Sequence, residues 1–150
     1  MRNWVKEFEW YDCMDDLVAA FYRETNQFIL NLRAFCEKLP GLSSLDETLF
    51  TSQNELSMLK RMAGSSPDFP SKFFVHMEPY GAEILSKNET FFLNFGANTK
   101  LFDESSQATS LIESAQIVWK SGELDEGSKE NIWQYVILLY RLSEHIATHR

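Results

Sequence analysis

The sequence predicts an all-α protein, a single compact bundle of about five helices packed around a buried C-terminal helix. The main observation is the segment Ile132–Leu142, in which nine of eleven residues are apolar or aromatic. The two exceptions, Gln134 and Arg141, are seven positions apart and therefore lie on one side of a helix. The second observation is that apolar residues in the other long segments recur at spacings of three and four, which is typical of amphipathic helices. A helix that is apolar on nearly all sides needs other helices around it.

The composition indicates a single domain spanning residues 1–150, with enough chain to bury a core of its own. The net charge of −8 disfavours direct nucleic-acid binding, because such affinity depends largely on Lys and Arg neutralising phosphates. The same acidic balance disfavours attachment to anionic membrane surfaces. The longest uninterrupted apolar run, Tyr135–Tyr140, is far shorter than the roughly 20 residues that span a bilayer.

The first long helix is predicted over Asp12–Lys38, with Asp15 and Asp16 near its positive end. Its polar face carries Arg23, Gln27 and Asn31, and Pro40-Gly41 ends it. Its inner face is expected to carry apolar residues at three-and-four spacing: Leu17, Phe21, Phe28, Leu32, Phe35 and Leu39.

A second helix is predicted over Leu45–Met62, with Ser44 and Glu47 forming a capping box at its start. The polar interior Thr51–Glu55 places this helix on the outside, and the loop 63–67 ends it. The residues expected to face inward are Leu45, Leu49, Leu56, Leu59 and Met62.

A third helix is predicted to begin at Phe69-Pro70 and to break at Pro79. Its inward residues are Phe73, Phe74 and Met77, and a short helix or turn then carries Tyr80, Ile84 and Leu85. The run Thr90–Phe95 partly alternates like a strand, but it has no partner strand, so we interpret it as helical or irregular.

The fourth long helix is predicted over Ser106–Lys120, and Ser128 is expected to cap the central helix after an acidic turn. The tail His145–Arg150 is expected to fray. The inner face of the fourth helix is predicted to carry Leu111, Ile112, Ala115, Val118 and Trp119.

The two cysteines, Cys13 and Cys36, fall on the first predicted helix, about 35 Å apart at roughly 1.5 Å per residue. They cannot pair within one chain at that distance, and free thiols favour an intracellular site of folding. The charged start of the chain lacks the apolar core of a secretory signal peptide. We therefore expect a protein that folds inside a cell and is not secreted through a signal peptide.

No arrangement of residues predicts catalysis, and no cofactor is expected. His145 and His149 have the spacing at which two imidazoles share a metal, but Ile146 stands where the metalloprotease motif has Glu. Histidines near a helix C-terminus also interact favourably with the helix dipole, so we assign no metal here. His76 lies among apolar residues and is expected to be buried and hydrogen-bonded. The sequence predicts a protein that is not an enzyme.

The N-terminal residues 1–11 are rich in aromatic side chains, Trp4, Phe8, Trp10 and Tyr11, with helical spacing. Leaving two Trp side chains in water costs roughly 2–3 kcal/mol each. Residues 1–11 are therefore either a short helix docked on the body or an arm that binds another chain. These four residues are the candidates for partner contact.

The C-terminal part of the chain carries Ile117-Val118-Trp119-Lys120, an acidic turn, Ser128-Lys129 and the run Ile132–Tyr140. This pattern resembles the C-terminal part of small uncharacterised helical proteins of large double-stranded DNA viruses that infect algae and protists. The segment Glu78–Phe92 is similar to their middle section, with Asn88 where those proteins more often have Asp. The resemblance implies a viral protein, a virion component more readily than an enzyme, and it transfers no functional residue.

Two functions are consistent with these features. The first is a non-enzymatic structural or interaction protein, such as a minor capsid or virion component, whose partners are other viral subunits or a host protein. The alternative is a soluble helical adaptor that binds a host or viral protein through an apolar groove, supplied by the Phe69–Phe95 region.

Overall fold

The computed structural model describes residues 14–39, 41–94 and 107–149, except for the side chains of residues 107–110 and 112. Within these ranges the chain forms α-helices and no β-strand, which confirms the all-α prediction. Five of the helices have ten or more residues. The predicted helix starts at Asp12 and Ser106, together with Cys13, lie outside the described residues. The helices are α1 (Met14–Lys38), α2 (Ser43–Ala63), α3 (Asp68–Met77), α4 (Gly81–Leu85), α5 (Glu89–Asn94), α6 (Gln107–Lys120) and α7 (Glu126–Thr148).

Helix α7 occupies the centre of the bundle, as the sequence predicts. It packs against α1, α3 and α4. Every residue from Ser128 to Ala147 is at least partly buried, including Gln134 and Arg141. The nearly continuous apolar surface of α7 is therefore covered by other helices.

Helix α1 packs against α2, α6 and α7. Four of the six residues predicted for its inner face are buried, and the other two, Phe35 and Leu39, are partly buried. Leu17, Phe21, Phe28 and Leu32 are all buried, because their spacing keeps them on one side of the helix. On the predicted polar side, Arg23 and Gln27 are exposed, and Asn31 is half-buried.

Two of the predicted helix caps are wrong. Helix α2 begins at Ser43 after Leu42, with no side-chain cap, so Ser44 already lies inside the helix. Helix α7 begins at Glu126, and its cap is Asp125, whose Oδ1 accepts a hydrogen bond from the Ser128 backbone N–H at 2.7 Å. Ser128 is the residue that is capped, because it already has helical backbone and its own N–H needs an acceptor.

The inward and outward faces of α2 differ from the prediction at two positions. Ser52, in the polar stretch expected to face water, is only 4% exposed. Met62, expected to face inward, is 81% exposed. Both differences follow from helical geometry. Ser52 lies four positions, about one turn, before the buried Leu56 and therefore shares its side of the helix, whereas Met62 lies six positions after Leu56 and therefore points to a different side.

Two predictions about histidine-bearing segments are also wrong. His76 is exposed, because the neighbouring Phe73 and Met77 define the inward face of α3 and His76 lies off that face. The predicted fraying from His145 does not occur over the described residues, because α7 continues to Thr148. Ile146 is fully buried and fixes this last turn against the core.

The short elements between α3 and α6 follow the sequence signals closely. Pro79 lies in a 3-10 turn, Glu78–Tyr80, which separates α3 from α4. The ambiguous run after Asn88 is helical up to Asn94, and the Asn88 side chain accepts a hydrogen bond from the Phe91 backbone N–H at 3.1 Å. Asn and Asp cap equally well, so the Asn at this position keeps the function that an Asp would have.

Candidate interaction surface

The aromatic residues predicted to contact a partner, Trp4, Phe8, Trp10 and Tyr11, lie outside the described residues. Their role as a docking arm or as part of the fold stays a prediction. The described chain begins at Met14, where α1 starts.

A second candidate surface lies on the outer side of α2. It consists of Glu47, Phe50, Asn54, Met58 and Arg61, all of which are exposed, and we refer to these five residues as the α2 surface. The Phe50 side chain is 50% exposed and that of Met58 is 56% exposed. Two large apolar side chains are thus presented to solvent between an acidic residue at one end and a basic residue at the other.

The position of the α2 surface follows from the amphipathic pattern of the helix. Leu45, Leu49, Ser52 and Leu56 are buried, and α2 makes its contacts with α1 and α6. At 3.6 residues per turn, the spacing of the α2 surface places it on the opposite side of the helix. Sequence reasoning could have found Phe50 and Met58 as apolar residues outside the periodic inner face.

Phe50 is held in place from beneath by Arg33 of α1. The guanidinium carbon of Arg33 lies 5.1 Å from the centroid of the Phe50 ring, which is cation–π geometry. Arg33 Nε donates a hydrogen bond to Asp46 Oδ1 at 2.9 Å, and Nη1 donates to Gln53 Oε1 at 3.1 Å. The hydrogen bond to Asp46 raises the pKa of Arg33 above its usual value. The exposed Phe50 ring is therefore supported on one face by a fixed cation and open to solvent on part of its surface.

The Phe69–Phe95 region, predicted to supply an adaptor groove, uses most of its described aromatic rings inside the fold. The Phe21 ring lies 6.0 Å from Phe69 and 5.5 Å from Phe73, in edge-on arrangements. Phe92 lies 5.3 Å from both Trp119 and Trp133. These contacts join α3 to α1 and α5 to α6 and α7.

An apolar cavity does lie beside Phe69 and Phe73, between α1, α2, α3, α6 and α7. Its volume is about 20 Å³, which is room for about one water molecule. It is far too small to accept the face of a helix. Its lining residues are Phe21, Thr25, Ile29, Ser52, Leu56, Phe69, Phe73, Leu111 and Leu139.

A polar cluster fixes α5 against α6 and α7. Trp119 Nε1 donates a hydrogen bond to Glu89 Oε1 at 2.9 Å. Lys129 Nζ lies 3.9 Å from the same carboxylate oxygen and 5.5 Å from the Trp119 ring centroid. Lys87 pairs with Glu130 nearby. These groups neutralise one another across helix junctions, which is an arrangement that stabilises packing.

His145 and Cys36 are titratable residues whose pKa values are shifted by burial. The rings of His145 and His149 are 4.1 Å apart, and burial together with the neighbouring His149 lowers the pKa of His145. Within the described ranges, no three His, Cys, Asp or Glu side chains are grouped so that they could hold a metal ion. Burial raises the pKa of the Cys36 thiol, which disfavours the reactive thiolate.

Comparisons with protein-family models, with curated proteins and with solved structures found no match. Among the helices that the structure describes, none combines the length and apolarity needed to cross a membrane.

Proposed function

We propose that this chain is a non-enzymatic structural or interaction protein that works by binding other protein subunits. The observation that carries the proposal is the α2 surface, where Phe50 and Met58 remain half-exposed on a helix whose opposite face is well buried. Phe50 and Met58 lie about two turns apart on one face of α2, and large exposed apolar side chains rimmed by polar residues are found at protein–protein contact sites. Aromatic residues and Met are also enriched in such contacts.

The N-terminal aromatic residues are the second element of the proposal. Trp4, Phe8, Trp10 and Tyr11 have the composition of interface anchors, because Trp and Tyr contribute large contact areas and are frequent in binding hot spots. We assign them to contact with a partner subunit. The resemblance to proteins of large DNA viruses suggests that this partner is a viral structural protein or a host protein, in a virion or in host-cell cytoplasm.

The acidic charge supports protein partners over nucleic acid. With 22 acidic and 14 Lys or Arg residues, the chain has a net charge of −8, which disfavours binding to phosphate backbones. A basic or oppositely charged protein surface is attracted by the same field.

The test replaces Trp4 and Trp10 by Ala in the full chain and compares its solution mass by light scattering with that of the unmodified chain. We expect the assembly of the chain to be lost, while the helical circular dichroism spectrum stays unchanged. A matched control is Val75→Ala, which removes an exposed apolar side chain from α3. Loss of the helical spectrum in the double variant would show that the two Trp side chains belong to the core, and would contradict their assignment to a partner.

The helical adaptor is the second candidate function. The outcome that would favour the adaptor is a chain that stays monomeric in solution and captures a single helical partner. The ring packing of Phe69, Phe73 and Phe92 gives it less support than the α2 surface gives to assembly.

A further inference from the structure

The α2 surface has a spacing that is symmetric about its central residue. Phe50 and Met58 each lie four residues from Asn54, and Glu47 and Arg61 each lie seven residues from it. At about 1.5 Å per residue, the apolar pair lies roughly 6 Å and the charged pair roughly 10.5 Å on either side of Asn54. A symmetric pattern of this kind is self-complementary when two copies of the helix run in opposite directions.

We propose that the α2 surface binds the α2 surface of a second copy of this chain, as an antiparallel helix pair with its two-fold axis at Asn54. In this arrangement Phe50 of each copy lies beside Met58 of the other, and Glu47 lies opposite Arg61 of the other. The two Asn54 side chains meet at the axis. The contact is isologous, so each favourable pair occurs twice.

Charge determines the direction of the pairing. A parallel pair would place Glu47 beside Glu47 and Arg61 beside Arg61, which is repulsive at both ends. The antiparallel pair replaces both repulsions by attractions, and electrostatic complementarity of this kind fixes register. The two Asn54 side chains favour the same register, because their amides can hydrogen-bond to each other when they meet at the axis.

The described contacts leave the α2 surface available for this role. Glu47, Asn54 and Arg61 are exposed, and α2 packs against α1 and α6 through its other side. Arg33 supports Phe50 in its exposed position, so the ring does not have to be reorganised on binding. A single pair of helices buries an area at the lower end of the range for specific interfaces, so we expect a dimer that depends on concentration.

This inference rests on the proposed function and deepens it, because it names a second copy of this chain as the partner at the α2 surface, which is far in sequence from Trp4 and Trp10. Its test is therefore separate. The Asn54→Cys variant of the full chain is oxidised under mild conditions and analysed on a denaturing gel without reductant. Facing Cα atoms are roughly 5.4 Å apart when helix axes are 10 Å apart, which is within disulfide range.

We expect Asn54→Cys to form a cross-linked species of twice the 17.5 kDa chain mass, far faster than the unmodified chain with its native cysteines. Thr48→Cys is the matched control, because it is exposed on the same helix but lies off the α2 surface. Equal cross-linking of the two variants, or none in either, would overturn the proposal.

Charge reversal gives an independent test by sedimentation. Glu47→Arg or Arg61→Glu alone creates two like-charge contacts in the dimer, and we expect each to weaken dimerisation by about tenfold or more. The double variant Glu47→Arg/Arg61→Glu restores opposite charges across the axis and should dimerise like the unmodified chain. Single reversals without effect, or a double variant weaker than either single one, would contradict the antiparallel pairing.

Discussion

Gly81 is the position where a single added methyl group should disturb the central helix most directly. A Cβ at Gly81 would lie 2.3 Å from the Tyr140 hydroxyl oxygen and 3.0 Å from its Cζ. Tyr140 is 5% exposed, and its ring packs against Phe74 with centroids 5.7 Å apart, so it has little room to move. The backbone of Gly81 is helical, with φ −57° and ψ −39°, so the substitution itself is compatible with the chain path.

We therefore expect Gly81→Ala to lower the free energy of unfolding by about 1–3 kcal/mol, which is typical of overpacking a core. Gly127→Ala is the matched control, because its Cβ would meet only Asp125 Oδ1, at 3.6 Å. That variant should gain about 0.4–1 kcal/mol from reduced freedom of the unfolded chain. A difference of about 2 kcal/mol between the variants corresponds to roughly 4–8 °C in Tm for a chain of this size.

Urea unfolding followed by circular dichroism measures both variants. Adding Tyr140→Phe to Gly81→Ala should recover part of the loss, because the closest contact is with the hydroxyl oxygen, and the two changes should be non-additive. If Gly81→Ala is as stable as Gly127→Ala, the close approach of α4 to α7 is refuted.

Three further predictions concern hydrogen bonds within the bundle. Asp125→Ala should lower Tm at neutral pH, whereas Asp125→Asn should keep most of the Tm of the unmodified chain. The Ser128 hydrogen bonds lower the pKa of Asp125, so the stability that this carboxylate contributes is present above its unfolded pKa of about 4 and is lost as pH falls through the folded value. A series of Tm measurements against pH checks this. Tyr135→Phe removes the hydroxyl that accepts a hydrogen bond from Asn31 Nδ2 at 2.9 Å, and should cost about 0.5–1.5 kcal/mol in urea unfolding, whereas no change would show that the pair does not stabilise the α1–α7 contact. Tyr22 carries a buried hydroxyl with no hydrogen-bond partner among the described residues, so Tyr22→Phe should leave stability unchanged or raise it by about 1 kcal/mol, and a clear loss in the same assay would reveal a partner for that hydroxyl.

The architecture could be predicted from the sequence because helix periodicity and burial are linked by geometry. The buried positions Leu17, Phe21 and Leu32 were predicted from their spacing alone, and the all-round apolar surface of α7 indicated its central position. The helix ends were less predictable. Ser128 and Asp125 are both good capping residues, and only the backbone decides which of them lies just outside the helix.

Burial of individual polar and apolar residues depends on neighbouring helices, which the sequence does not specify. Ser52 is buried because α1 and α6 pack against that side of α2, whereas Met62 lies away from that side and is exposed. Ile146 orders the end of α7 through tertiary contact, although chain ends usually fray.

The candidate interaction residues show the same division. The N-terminal aromatics were selected from composition, because two Trp side chains near a chain end need a partner. Phe50 and Met58 cannot be distinguished from inner-face residues by apolar character alone. They stand out only because the inner face of α2 is already filled by Leu45, Leu49 and Leu56.

The measurement that tests the account most directly is the solution mass of the unmodified full chain, by light scattering over a wide range of concentrations. If the chain binds a second copy of itself, its solution mass should rise from 17.5 kDa toward at least twice that value as the concentration increases. A mass that stays at 17.5 kDa at every concentration would contradict self-assembly through either surface, and would favour the helical adaptor.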